Sequence, residues 1–401
     1  MTEIANTPEL RFPNYENSWF SYKLNDISER VTRKNKNLES QRPLTISGQL
    51  GLIDQIEYFN KSVSSKNLTG YTLIKKGEFA YNKSYSNGYP LGAIKKLERY
   101  DLGILSSLYI CFSFDENIDK SFMKNYFEST KWYREVANIA VEGARNHGLL
   151  NIPVNDFFNI NINLPIQYEQ EKIGEFFSKL DRQIELEEQK LAKLEEQKKG
   201  YMQKLFSQEI RFKDNQGNNY PDWKIVEIGD ILEERTERSG EGDMLSVTIN
   251  NGIIKFDEID RKDNSSKDKS NYRKVYKDDI AYNSMRMWQG ASGKSEYEGI
   301  VSPAYTVTIP SENINPDFIA YYFKTHKMIH KFKINSQGLT SDTWNLKYRQ
   351  LKDIKLNLCS KEEQNKIANL LIMYDKLINK QKHKLEILKT NKKGFLQKMF
   401  V

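Results

Sequence analysis

The sequence predicts an α/β (α+β) protein built from two tandem copies of one unit, each a globular module followed by a long helix. Three observations carry this. The phrase KKGYMQKLF at 198–206 returns as KKGFLQKMF at 392–400. The stretches that end on those phrases, 169–206 and 363–400, align without a gap. They are identical at roughly 15 of about 38 positions, far above chance for unrelated helices. Both also space their apolar residues by alternating steps of four and three, the seam of a coiled coil.

In the first stretch the seam is Ile173, Phe177, Leu180, Ile184, Leu191, Leu194, Tyr201 and Leu205. In the second it is Ile367, Leu371, Tyr374, Ile378, Leu385, Leu388, Phe395 and Met399. Glu187 and Lys198 interrupt one seam, and Gln381 and Lys392 interrupt the other at matching heights. Two readings fit these polar residues. They set the register between the helices, or they face solvent where the helices splay.

The repeat continues upstream. Arg11, Phe12, Trp19, Leu24, Asp26 and Ile27 recur in order as Arg211, Phe212, Trp223, Ile228, Asp230 and Ile231. FAYN at 79–82 answers IAYN at 280–283, GILSSLY at 103–109 answers GIVSPAY at 299–305, and the apolar pattern of 151–165 lies over 345–359. The expected boundaries are therefore a first module at 1–165, a first helical region at 166–208, a second module at 209–360 and a second helical region at 361–401. Strand-like runs such as GYTLIKKGEFAYN mix with helical patterns such as PDFIAYYFKTHKMIHKF, which suggests a twisted, partly antiparallel sheet in each module. Between the shared landmarks the modules diverge, notably at 88–102 against 288–298. A common frame with different loops is the layout of a scaffold bearing two different recognition surfaces.

Composition narrows the class without naming it. The 401 residues are enough for two or three domains, and with 23 Tyr and 20 Phe the chain is too aromatic to be disordered. Its net charge of +7 points towards an acidic partner, but roughly +6 of it sits in the second helical stretch and about −1 in the first. Charge alone is thus weak evidence for nucleic acid. Cys111 and Cys359 are far apart and form no CxxC, as expected of reduced thiols in the cytoplasm. The opening residues have no signal-peptide character, and no apolar run approaches the ~18 residues of a membrane span.

A search for catalytic chemistry finds none. A glycine-rich cofactor loop with a methyltransferase D/N-P-P-Y/F or Pro-Cys element is absent, and neither Pro221-Asp222 nor Pro316-Asp317 is completed by Glu-x-Lys. ASGKS at 291–295 ends like a phosphate loop, but Trp288 stands where its first glycine must be. His326 and His330 stand four apart, yet Lys327 replaces the Glu of a zinc protease. The expectation is a non-enzyme with no metal and no cofactor of its own.

The two helical stretches and the paired RF…W…DI openings resemble the specificity subunit of type I restriction–modification systems, and the resemblance covers essentially the full chain. It implies two target-recognition domains, each reading one half of a split, asymmetric site in double-stranded DNA. It further implies that the two helices pack antiparallel as a spacer and dock two methyltransferase (modification) subunits, with motor-nuclease (restriction) subunits joining the assembled complex. S-adenosylmethionine, ATP and Mg would then be bound by those partners. A different class, a coiled-coil scaffold with two protein-binding modules, stands as the alternative.

On the DNA reading, base contacts need fork-like or amide donors on loops. In the first module the candidates are Lys83, Tyr85 and Asn87, with Arg145, Asn146 and His147. In the second they are Ser284, Arg286, Trp288, Gln289 and Lys294, with Gln337, Thr340, Ser341 and Thr343. Each set follows Ala-Tyr-Asn or precedes the strand near the module's end. Asn82 and Asn283 belong to the shared frame, where a turn-forming role is expected.

Overall fold

The structure, a computed structural model, describes residues 6–61, 63–86, 88–140, 150–258, 265–340 and 343–401. In the first module a four-stranded sheet runs Ser28–Arg30, Tyr109–Phe114, Phe79–Asn82, Ala93–Lys96. The second module repeats it as Leu232–Glu234, Tyr305–Pro310, Ile280–Asn283, Ser292–Lys294. Each module adds a hairpin (Leu44–Ser47 with Gly51–Asp54; Leu245–Thr248 with Gly252–Lys255). Each adds a second pair, Thr72–Lys75 with Leu102–Leu105 or Arg273–Val275 with Gly299–Val301. Beside the long helices a third pair closes the module, Phe20–Lys23 with Asn161–Leu164 or Lys224–Glu227 with Lys355–Leu358.

Every pairing between these strands is antiparallel, so the expected partly antiparallel sheet is corrected. Among the described residues, parallel pairing is confined to the isolated bridges Pro43–Ile104 and Met244–Ile300. The physical reason is connectivity. Parallel neighbours need a crossover of a dozen or more residues, usually a helix, whereas these strands pair by hairpins and returns.

Strand alternation gives each module two cores, one on each face of its sheet. In the first, Phe79, Tyr81, Ile110, Phe112 and Phe114 face a large aromatic core, while Ala80 and Cys111 face a smaller aliphatic one with Leu44, Leu52 and Leu105. In the second, Ile280 and Tyr282 face the large core, and Ala281 and Val307 the small one. Both cysteines are buried and free, and burial pushes both thiols up, which suits packing rather than reactivity.

The long helices span Gln167–Phe206 and Lys361–Lys398. The chain divides into two compact units, each uniting one module with parts of both helices: residues 1–188 with 383–401, and residues 189–382. The cause is core packing at the helix ends. In the first unit Ile173, Phe177, Leu396, Met399 and Phe400 complete the core around Trp19 and Phe122, with the Phe400 ring 5.2 Å from Phe122. In the second unit Leu205, Phe206, Ile367, Ala368 and Leu371 do the same, and Phe206 stacks on Tyr322 at 4.7 Å. The last phenylalanine of each repeated phrase, outside the expected seam, is therefore a core residue.

Within each unit the two helix segments run antiparallel. In the first, Asp181 meets Lys392 at 2.6 Å, and Glu187 meets Lys384. In the second, Lys198 meets Asp375 at 2.6 Å, and Tyr201 lies against Tyr374 with centroids 5.6 Å apart. Leu180, Ile184, Leu191, Leu194 and Leu388 are half-buried, and Ile378 and Leu385 are buried. The polar interruptions Lys198, Lys392 and Glu187 are ion-paired across the helices, and Gln381 is buried, which is the geometry of a register lock. Burial raises the Asp181 carboxyl, but the Lys392 and Lys124 ammoniums outweigh it and hold the group below its ordinary range.

A second matched device joins helix to module. Glu169 and Glu363 are wholly buried and accept two hydrogen bonds each from Arg11 and Arg211. The next residues, Gln170 and Gln364, accept from the backbone N–H of Asp119 and Asn315 and donate to the carbonyls of Pro165 and Cys359. This explains why Arg-Phe and Glu-Gln recur together although more than 150 residues separate them. Among the described residues no helix is long and apolar enough to cross a membrane.

Candidate nucleic-acid interface

The candidate loops begin where the central strand of each sheet ends. Asn82 and Asn283 accept hydrogen bonds on Oδ1 from the backbone N–H two residues on, Ser84 at 3.1 Å and Met285 at 3.0 Å. These are turn-forming contacts that release the chain from the sheet at the same point in both modules. One matched backbone hydrogen bond ties a later segment to the base of each first loop. Leu150 N–H donates to the Lys83 carbonyl at 3.0 Å, and Leu346 N–H donates to the Ser284 carbonyl at 2.9 Å. Leu150 and Leu346, just before the last elements of their modules, are therefore both held to the base of the first loop.

Each first loop is also tied to the tip of the hairpin, by different chemistry. In the first module Tyr89 donates its hydroxyl to the Gly48 carbonyl at 2.8 Å, and the ring lies where a Cβ on residue 48 would be, 2.2 Å from Cε2. Burial foremost, with Glu128 nearby, pushes the Tyr89 hydroxyl up to about 12. In the second module Lys324 donates from Nζ to the carbonyls of Ile249 at 2.8 Å and Gly290 at 2.5 Å. Burial lowers Lys324 to about 8. Gly290 has φ of 86°, which closes the short helical turn Met287–Gln289 in the left-handed region that favours glycine.

The predicted residues fall into four groups. Tyr85 is 61 % exposed, and Gln289, Gln337, Thr340 and Thr343 are exposed, so they are available to a ligand. Lys83 and Arg286 are half-buried, and the Arg286 guanidinium makes no ion pair among the described residues. Thr340 and Thr343 also hydrogen-bond each other, with Thr343 Oγ1 donating to the Thr340 carbonyl at 2.9 Å. Asn87, Arg145, Asn146, His147 and Ser341 lie outside the described residues.

Three further candidates make packing or ion-pair contacts within the module. Ser284 is buried, with Oγ 2.9 Å from Thr306 Oγ1. Trp288 donates its indole N–H to the Met285 carbonyl at 3.1 Å and packs edge-on against Trp344 at 5.2 Å, pinning the second loop to the first. Lys294 is 12 % exposed and meets Asp317 at 2.9 Å, Glu296 at 2.7 Å and Asp278 at 3.6 Å. With its charge met by three carboxylates it ties a sheet edge to the helix Pro316–Phe323 rather than reaching a phosphate.

Sequence reading missed Tyr89, Lys324 and Leu339. Tyr89 sat inside a polar run, and Lys324 sat in an ordinary helical pattern, so neither carried a signal of its tie. Leu339 is fully exposed on the second loop of module two, and an apolar residue beside Gly338 in a polar segment was a visible oddity. His326 and His330 are both exposed, and among the described residues no cluster of metal-binding side chains occurs.

Comparison with known proteins bears on these loops and helices together. The family described as the type I restriction modification DNA specificity domain matches residues 3–196 and again residues 220–389. The chain is 26 % identical over 214 residues to the putative type I restriction enzyme MjaX specificity subunit of Methanocaldococcus jannaschii, an alignment covering 49 % of each chain. It is 38 % identical over 80 residues to the MjaIX specificity subunit of the same organism, covering 20 % of this chain and 18 % of that one. The chain spans about half the length of the curated relatives it matches first. In fold it is similar to the S subunit of the type I restriction–modification system from M. genitalium, with a TM-score of 0.56 at 17 % identity over 98 % of this chain and 99 % of that one. A chain from a structure concerned with complex assembly and conformational transition of the type I R-M system gives a TM-score of 0.51 at 17 % identity, over 96 % and 99 %. With two matched segments that together take in most of its residues, this chain belongs to the type I restriction modification DNA specificity family and carries the family's domain twice in tandem.

Proposed function

We propose that this chain is the non-catalytic, DNA-reading subunit of a type I restriction–modification complex, each module reading one half of a bipartite, asymmetric site in double-stranded DNA. The observation that supports it is the pair of loops at each sheet end. The first loop leaves the sheet by the same asparagine turn in both modules yet carries different exposed side chains, Tyr85 in one and Gln289 in the other. Two identical frames with different readers suit two different half-sites. The paired helices set the distance between half-sites and dock two methyltransferase subunits, and motor-nuclease subunits join through the complex. S-adenosylmethionine, ATP and Mg belong to those partners, and the complex acts in the cytoplasm.

Co-expression with a type I methyltransferase subunit, followed by methylome sequencing, tests this. The expected result is one bipartite motif. Arg286→Ala should relax one half-site only, since a base contact carries about 1–3 kcal/mol of discrimination. Inserting a heptad after Lys190 and another after Lys384, which keeps the seams in register, should lengthen the unspecified spacer. A complex that assembles but methylates nothing would favour the protein-binding scaffold instead, and an unchanged spacer would remove the ruler role.

A further inference from the structure

The two long helices carry the same kind of apolar seam, equivalent Lys-to-Asp ties and the same core phenylalanine at their ends. None of these features distinguishes one helix from the other, and a helix meeting a copy of itself could re-form them all. Two rim ion pairs are different. In the first unit Glu188 meets Lys389 at 2.5 Å, and in the second unit Glu195 meets Lys382 at 3.1 Å. In the gap-free alignment of the repeats, Lys382 occupies the place of Glu188, and Lys389 the place of Glu195.

The consequence follows from that exchange. A first helix paired antiparallel with another first helix would set Glu188 against Glu195 at both ends. A second helix paired with another second helix would set Lys382 against Lys389 at both ends. By contrast, Lys198–Asp375 and Lys392–Asp181 are each other's equivalents and would survive any pairing. We infer that Glu188, Glu195, Lys382 and Lys389 form a partner code that joins the first helix to the second and rejects a second copy of either. Rim charges set partner choice in coiled coils in this way, and like charges repel about as strongly as opposite ones attract. All four side chains are about half exposed, so the code is screened by salt. It does not depend on what the modules bind.

The test keeps every residue of the chain. A protease site inserted after Gln208 lets the folded protein be cut once between the first helix and the second module. The cut protein is taken through urea and back, and native mass spectrometry counts unlike and like pairs of halves. The unaltered protein should return almost only unlike pairs. Glu188→Lys with Lys389→Glu keeps both attractive pairs within the unlike complex, but makes each helix complementary to its own copy. Like pairs should then rise on the order of tenfold or more. Glu195→Lys with Lys382→Glu should do the same, and about 1 M salt should raise like pairs in the unaltered protein. Like pairs equally frequent in the unaltered protein and both variants would overturn the inference. If the cut halves do not reassemble, intact chains refolded at high concentration give the same comparison by light scattering. An equal fraction of chain-exchanged dimer in variant and unaltered protein overturns it there too.

Discussion

The hairpin tips of the two modules present the same carbonyl, that of residue 48 in one and 249 in the other, and each is claimed by a different donor. In the first module a phenol of the candidate loop segment reaches out to it. In the second an ammonium on the helix Pro316–Phe323's C-terminal cap, Lys324, reaches both the carbonyl and the loop. The frame thus specifies that loop and hairpin be joined, but not by what. A similar substitution occurs at the shared tryptophan. Trp19 is buried among Phe122 and Phe400 with no partner for its indole N–H among the described residues, whereas the Trp223 indole donates to Glu363 Oε2 at 3.2 Å. Duplicated positions keep their place in the architecture while their chemistry follows their neighbours.

The largest test of that equivalence is the core phenylalanine. Phe206→Ala and Phe400→Ala should each cost about 3–5 kcal/mol through lost burial and a cavity. Each should loosen its own unit first, which hydrogen exchange resolved by unit would show. Exchange rising equally in both units would mean the cores are not equivalent stand-alone structures.

The buried carboxylates come next. Removing one partner of a buried pair costs about 3 kcal/mol or more. Glu363→Ala should exceed Glu169→Ala, because Glu363 also satisfies the Trp223 indole. Urea denaturation of the two variants checks the order. Equal losses would show that the extra hydrogen bond adds nothing.

The hairpin ties should give the smallest effects and differ in pH behaviour. Tyr89→Phe should cost about 1 kcal/mol at neutral pH. Lys324 has a folded pKa of about 8, below the unfolded value near 10.4. Between those values the unfolded chain binds the proton more readily, so stability contributed by this residue rises with pH across that window. Below about pH 8 the cost of burying the charge is present in full. Lys324→Met should abolish that rise, read as urea midpoints at pH 7 and 9.5, whereas Tyr89→Phe should leave it intact.

Much of this arrangement was legible from sequence because a repeat is its own alignment. The gap-free alignment that begins at Glu169-Gln170 and Glu363-Gln364, and the match of Arg11 to Arg211, are visible in the sequence alone. The seam residues followed from spacing, since a 3.6-residue period exposes one face of a helix to whatever covers it. The loop candidates fared unevenly. Tyr85, Gln289 and Thr343 lie exposed, whereas Ser284 is buried and the side chains of Trp288 and Lys294 are engaged within the module. Residue type says what a side chain can bond; it does not say whether a carboxylate, as at Asp317, already stands within 3 Å.

Sequence by itself determined the duplication, the order of elements, the helix faces and the membership of each module's frame, because these depend on periodicity and on residues close in the chain. Tertiary structure alone decided that Glu169 and Glu363 are buried under Arg11 and Arg211, and that Lys198 and Lys392 find Asp375 and Asp181. It also decided that Phe206 and Phe400, outside the seam, enter the cores. Those pairings join residues far apart in the chain, and their energies arise from desolvation and close packing, which exist only once the helices have docked.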